Sequence, residues 1–255
     1  MVTNMTERKR ILILSETASQ TDRLRESAEK LALDVVLGCR DSSGKLQLDF
    51  DTRDSALAIV SFVQQLPVVA IIPVEDSTGP VAARAASMLR FPFHSPKAAD
   101  ACKDRQRLVK TLNTAGIAVC SEVPPHTANS TLTTVHCLMA DGRLRVLAAT
   151  AGEKPPFAFE SMPAETRQHV IAVLKRTIPA LGLKHGPVRL SLLTSPEPAV
   201  AAVSDTYMPD HYTRTLHFQI PLVDLDISFE ELAIRNALGL DTSRTFLKMG
   251  NIGRN

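Results

Sequence analysis

A chain of 255 residues, 44% hydrophobic and 22% charged with mean hydropathy +0.02, has the material for a sizeable core in one or two soluble domains. A net charge of +2 and a pI near 8.4 are too mild for a nucleic-acid partner, and with no tryptophan and 4% aromatics a base-stacking platform is excluded too. No apolar run reaches the roughly 20 residues of a membrane helix, so no membrane partner is expected.

The opening MVTNMTERKRILIL carries a basic segment but only four apolar residues after it, which is not the pattern of a signal peptide. Ile11 to Leu14 reads as a first strand and Asp22 to Leu33 as a helix with Leu24, Ala28 and Leu31 on one face. Asp34 to Gly38 is a second strand, Ser42 to Lys45 a loop, and Arg53 to Leu66 a helix packing through Ala56, Ile59, Val60 and Val63. Val68 to Val74 is almost wholly apolar and β-branched, the pattern of a strand buried on both faces. A helix with Val81, Ala82, Ala85, Met88 and Leu89 follows Glu75-Asp76-Ser77-Thr78-Gly79, whose acidic pair suits either a helix cap or general acid–base work. Ser95-Pro96 reads as a cap with a first-turn proline, and Asp104 to Ala115 as a helix stopped by Gly116.

Strands alternating with amphipathic helices predict a parallel sheet covered on both faces, with Ile11 between the strands of Val35 and Val68. Such a sheet binds ligands at the carboxyl ends of its strands, where Ser15, Gly38 to Asp41 and Glu75 to Thr78 lie. Ser15-Glu16-Thr17-Ala18 after the first strand lacks the glycines of a dinucleotide fingerprint. From Cys120 the texture changes, with Ser121 to Ser130 a polar, proline-containing linker. Leu132 to Met139 and Leu144 to Thr150 flank Asp141-Gly142 as a hairpin, and Pro155-Pro156 breaks the chain. Pro163 to Leu181 is a helix, Val188 to Leu193 and Val200 to Val203 are a strand pair turned by Ser195 to Pro198, and Phe229 to Leu238 is a last helix stopped by Gly239. The cysteines at 39, 102, 120 and 137 form no C-x-x-C pair and read as reduced thiols in a cytoplasmic protein. None of the seven histidines has metal-ligand spacing; His211 and His217, near Asp205 and Asp210, read as surface residues, with the lining of a cleft as the alternative.

The order of acidic pair, alanine-rich helix, "FPFHSPKAADACKD" and a basic helix ending "AGI" resembles the ATP-grasp ligases, in particular their carboxylate–amine ligase and biotin-carboxylase-like branch. "LMADGRLRVLAATAGEKPPF", "LGLKHGPVRLSLL", "AVAAVSDTY" and "DLDISFEELAIRNALGL" are similar to later family segments, so the likeness runs from about Arg10 to Leu240. It implies a pre-ATP-grasp-like α/β domain over 1–95, a helical connector and linker over 96–130, and a truncated, antiparallel α+β ATP-grasp-like domain over 131–255.

The family's chemistry needs a glycine-rich lid and a strand lysine on the triphosphate, and acidic side chains on magnesium, so that a carboxylate can attack the terminal phosphate. Here no glycine lies between Gly116 and Gly142, so the lid is missing. Ser191 stands at the first metal-glutamate position and Val203 at the second, with Asp205 replacing an asparagine and Tyr207 an arginine. Ser191 and Val203 are expected on adjacent strands with side chains on one face. Arg105 holds the position of a nucleotide-binding lysine, so the resemblance implies Arg105 and Asp205 as cofactor-binding residues, with no catalytic set and no metal site. The expected ligand is ATP, bound weakly and without Mg²⁺, or a small carboxylate. A protein partner or a second copy of the chain is the expected macromolecular contact. Two readings stay open: a catalytically impaired ATP-grasp-fold binding or partner protein, and an active ATP-dependent ligase with rearranged ATP and metal ligands.

Overall fold

Ile11, Leu12, Ile13 and Leu14 are all fully buried, because the strand they form has helices on both sides. Ile11 and Ile13 point into a cluster with Leu24 and Ala28, while Leu12 and Leu14 point into another with Ile59 and Ala82. The structure, a computed structural model, describes residues 8–120, 132–140, 142–151, 157–193, 199–206 and 228–240. Its first sheet contains β1 (Arg10–Ser15), β2 (Asp34–Cys39), β3 (Leu46–Gln47) and β4 (Ala70–Pro73), all parallel in the order β3-β2-β1-β4. Ile11 pairs with Val35 on one side and Ala70 on the other, so β1 is central, as the βαβ rhythm predicts. The two-residue edge strand β3 is too short to carry a sequence signal of its own.

Helices α1 (Asp22–Lys30), α2 (Asp54–Gln65) and α3 (Gly79–Leu89) connect these strands. α1 stops short of Leu33 because Ala32 takes a left-handed turn, φ 55°, that feeds Leu33 into the core. The segment after α3 forms two helices, α4 (Pro96–Lys103) and α5 (Arg105–Thr114), broken by an extended Asp104. Each is capped as its sequence dictates. Ser95 Oγ accepts from Ala98 N at 3.2 Å, and Asp104 Oδ1 accepts from Gln106 N at 2.9 Å. The linker at 121–130 lies outside the described residues, as do Pro155-Pro156 and the turn at 195–198.

The second sheet is antiparallel in the order β6-β5-β7-β8, built from β5 (Leu132–Ala140), β6 (Arg143–Ala151), β7 (Gly186–Leu193) and β8 (Ala199–Ser204). One face, with Val135, Cys137, Val188, Leu190 and Val203, packs on α4, α5 and the long α6 (Ala164–Leu181). α7 (Phe229–Ala237) is wedged between the two sheets: Leu232, Ala233 and Ile234 join Ile11 and Ile13 of the first with Leu138 and Leu147 of the second. Burying one such leucine contributes about 2 kcal/mol, so this helix ties the halves together.

One expectation fails on register. Leu190 pairs with Val203 and Ser191 with Ala202, so Ser191 and Val203 point to opposite faces. The pairing jumps between Ser191 and Leu192, where Ala201 is the extra residue of a β-bulge, and this slip decides which face each side chain meets. Val203 is core.

Candidate functional site

The face of the antiparallel sheet opposite its helices is polar over β5, β7 and β8. Thr134 pairs with Ser191, His136 with Arg189, and Arg189 with Ser204, so these five side chains share it. Thr134 Oγ1 and Ser191 Oγ are hydrogen-bonded at 2.8 Å. Onto this face reaches the loop between β4 and α3. Asp76 Oδ2 accepts from Arg189 Nη2 at 3.3 Å, and Oδ1 accepts from Thr206 Oγ1 at 2.6 Å and from Ser204 Oγ. Asp76 therefore links the two sheets rather than capping α3, whose N-cap residue is Thr78 with no side-chain cap bond.

The neighbours of Asp76 turn the other way, into the crevice at the carboxyl ends of the parallel strands. Glu75 accepts from Ser15 Oγ at 2.7 Å and from Glu16 N at 3.0 Å. Burial raises the Glu75 carboxyl, and those two bonds only partly offset it. Glu16 accepts from Arg40 Nε at 2.6 Å and from Ser77 Oγ, and Arg40 also reaches Asp49 at 3.0 Å and Asp51 at 3.1 Å. Burial acts to raise Glu16, but Arg40 and Ser77 outweigh it and hold the carboxyl below its ordinary value. The crevice thus has Glu16, Asp49 and Asp51 gathered on one guanidinium.

Asp205 lies at the end of β8, 3% exposed, with Oδ2 lacking a hydrogen-bond partner among the described residues. Its carboxylate comes so near the start of α3 that a Cβ at Gly79 would stand 2.7 Å from Oδ1, which is why glycine is needed there. Burial first, and the Asp76 charge second, push Asp205 up to about 7. Arg105 sits elsewhere, at the bulge: Nη1 donates to Ala201 O at 2.5 Å and Nη2 donates to Cys120 O. A bulged carbonyl falls out of the ladder, and Arg105 satisfies it. Arg105 and Asp205 thus flank β8 without touching each other's partners. Tyr207, His211 and His217 lie outside the described residues.

The described part of this face offers little to a cation. Its side chains are hydroxyls, a histidine and the Arg189 guanidinium, with Asp76 committed to Arg189 and Asp205 drawing a proton near neutral pH. Among the described residues no group of three His, Cys, Asp or Glu side chains is placed to hold a metal. The same donors suit anionic oxygens. The space beside them is small, about 10 Å³ between His136, Arg189, Thr206 and Phe229, enough for one water. Val203, expected on this face beside Ser191, lies in the core instead; the alternation of Arg189, Ser191 and Thr134, His136 was the signal that marks this face.

No family model matches the chain, and no curated protein matches it. Solved structures do. L-amino acid ligase from Bacillus licheniformis superposes with TM-score 0.74 at 17% identity, covering 96% of this chain and 78% of that one. Phosphoribosylglycinamide synthetase from Anaerococcus prevotii follows with TM-score 0.72, 11% identity and the same 96% and 78% coverage. Carboxyaminoimidazole ribonucleotide synthase from Aspergillus clavatus, solved complexed with ATP, gives TM-score 0.62 at 12% identity over 91% of this chain and 77% of that one. The chain has the fold of the ATP-grasp carboxylate–amine ligases, a parallel four-stranded sheet followed by a separate antiparallel one. Among the described residues no helix is long and apolar enough to cross a membrane.

Proposed function

We propose that this protein is a relative of the ATP-dependent carboxylate–amine ligases that keeps the scaffold and has lost the ligase chemistry, acting as a cytoplasmic binding or partner protein. The observation that carries this reading is the composition of the polar sheet face. Where the family's resemblance calls for two metal-binding glutamates, Ser191 is tied to Thr134 and Val203 is turned into the core. Arg189 adds a positive charge on the same face, which repels a dication.

ATP, in this reading, binds weakly and without magnesium. The polar face offers donors to phosphate oxygens, but its guanidinium is already shared with Asp76, which limits the affinity. Arg105 spends two of its five N–H groups on Ala201 and Cys120, leaving others for a phosphate, while Asp205 in its protonated form donates to an anion. The natural divisions are the parallel sheet over 1–95, the connector over 96–130 and the truncated antiparallel unit over 131–255. The second reading, an active ligase with rearranged ligands, draws on the fold match that runs over 96% of the chain.

Thermal unfolding with ATP, with and without Mg²⁺, tests the proposal. The expected result is a small ATP-dependent rise in midpoint that Mg²⁺ does not increase, well below the roughly 2.7 kcal/mol that a ligand gives at a hundredfold excess over Kd. A shift that appears only with Mg²⁺ contradicts it.

A further inference from the structure

A groove lies toward the opposite end of the parallel sheet from the Glu16–Arg40 crevice. It occupies about 540 Å³ from the amino ends of β1 and β2, which start at Arg10 and Asp34, along β2 to Lys45, the residue before the edge strand β3 that pairs with Gly38 and Cys39. A six-residue strand spans roughly 20 Å, which sets Arg10 and Asp34 apart from the Glu16–Arg40 crevice, while Lys45 closes the groove from the side of β3. Four cations line it, Arg8, Arg10, Arg25 and Lys45, against two carboxylates, Glu29 and Asp34.

The charges do not cancel. Arg10 lies 3.9 Å from Asp34, and Arg25 is one helical turn from Glu29. Arg8 and Lys45 have no ion pair among the described residues. Cations converging on one concavity repel each other, and an anion placed between them removes that cost while gaining charge-assisted bonds. The floor differs from the rim: Leu33 and Val36 are buried and Leu66 half-buried, so apolar surface lies under the charged side chains. The volume falls within the range of small-molecule sites, and a bare inorganic ion would fill little of it.

We propose that this groove binds a phosphorylated organic anion, with Arg8, Arg25 and Lys45 on the phosphoryl group and the organic body over Leu33 and Val36. Arg8 and Arg25 offer forked donors to phosphate oxygens, and Lys45 adds a point charge. Glu29 and Asp34 accept from hydroxyls of the attached body.

Titration calorimetry at about 50 mM salt, a regime in which exposed charges are weakly screened, tests this with AMP, ribose 5-phosphate and inorganic phosphate as probes. Wild-type protein is expected to bind one of the two organic phosphates at least tenfold more tightly than inorganic phosphate. The variant Arg8→Gln/Lys45→Gln, whose altered side chains are both exposed, is expected to melt as the wild type does and to bind at least tenfold more weakly. Arg25→Gln, made separately, weakens binding in the same direction. Absence of binding heat with both organic probes overturns the proposal, as does a double variant that binds like wild type. Equal affinity for inorganic phosphate overturns the assignment to an organic anion.

Discussion

The Asp76 carboxylate meets the Arg189 guanidinium at 3.3 Å across 113 residues of chain, joining the loop after β4 to the central antiparallel strand β7. The same carboxylate takes hydroxyls from Ser204 and Thr206, so one side chain from the parallel half holds three groups of the other. Arg189 is only 12% exposed, which makes the pair more than a surface contact.

Asp76→Ala is therefore expected to destabilise by about 2 kcal/mol, because the largely covered Arg189 guanidinium loses a carboxylate that is itself 45% exposed, and two hydroxyls lose an acceptor. Asp76→Asn, which keeps an acceptor oxygen, is expected to cost less. Urea unfolding of the two variants beside wild type checks the order.

Asp205 gives stability a pH dependence whose sign is unusual for a carboxylate. Its folded value near 7 lies above the ordinary 3.8, so between these pH values the folded chain holds a proton that the unfolded chain releases. Stability from this group is present at low pH and is lost as pH rises through 7, by up to about 1.4 kcal/mol per pH unit. Asp205→Asn removes that slope, and at pH 8 the variant is expected to unfold at a higher denaturant concentration than wild type. A variant less stable than wild type at pH 8 contradicts the assignment.

His94 acts in the opposite sense. It is 2% exposed, with Nε2 at 2.9 Å from Pro187 O and Nδ1 accepting from Lys184 N at 3.1 Å, which fixes it as a neutral imidazole. Burial lowers it to about 4 from 6.5, so the stability it contributes is full above pH 6.5 and is lost as pH falls toward 4. His94→Ala is expected to cost about 2 kcal/mol at pH 7 and less at pH 4.5, read from denaturation curves at both.

Arg105→Ala is expected to cost about 2 kcal/mol by leaving the Ala201 and Cys120 carbonyls without their donor, and to weaken ATP binding measured by calorimetry. Arg105→Lys places a single ammonium where two separate carbonyls are held, so it is expected to restore only part of the stability. Tight ATP binding unchanged in Arg105→Ala would place the nucleotide elsewhere.

Much of the scaffold was legible in the sequence for a physical reason. The uninterrupted apolar run Ile11–Leu14 has to be buried on both faces, and Ser95 and Asp104 each supply an oxygen to the helix that follows. The site was less legible because it depends on register. Ser191 and Val203 were aligned by motif spacing, but the extra residue at Ala201 shifts the pairing, and no local signal in "EPAVAAVSD" marks which alanine is bulged. Glu75 and Asp76 likewise read as helix caps, since their real partners, Ser15 and Arg189, are brought to them only by the folded sheets.

The central claim, that the ligase scaffold persists without ligase chemistry, is tested most directly by phosphate release from ATP with Mg²⁺ across a panel of amino acids. Wild-type protein is expected to release no phosphate above the protein-free rate with any of them, because Ser191 and Val203 supply no carboxylate for a metal and Arg189 opposes one. Mg²⁺-dependent turnover that saturates with one amino acid would contradict the account.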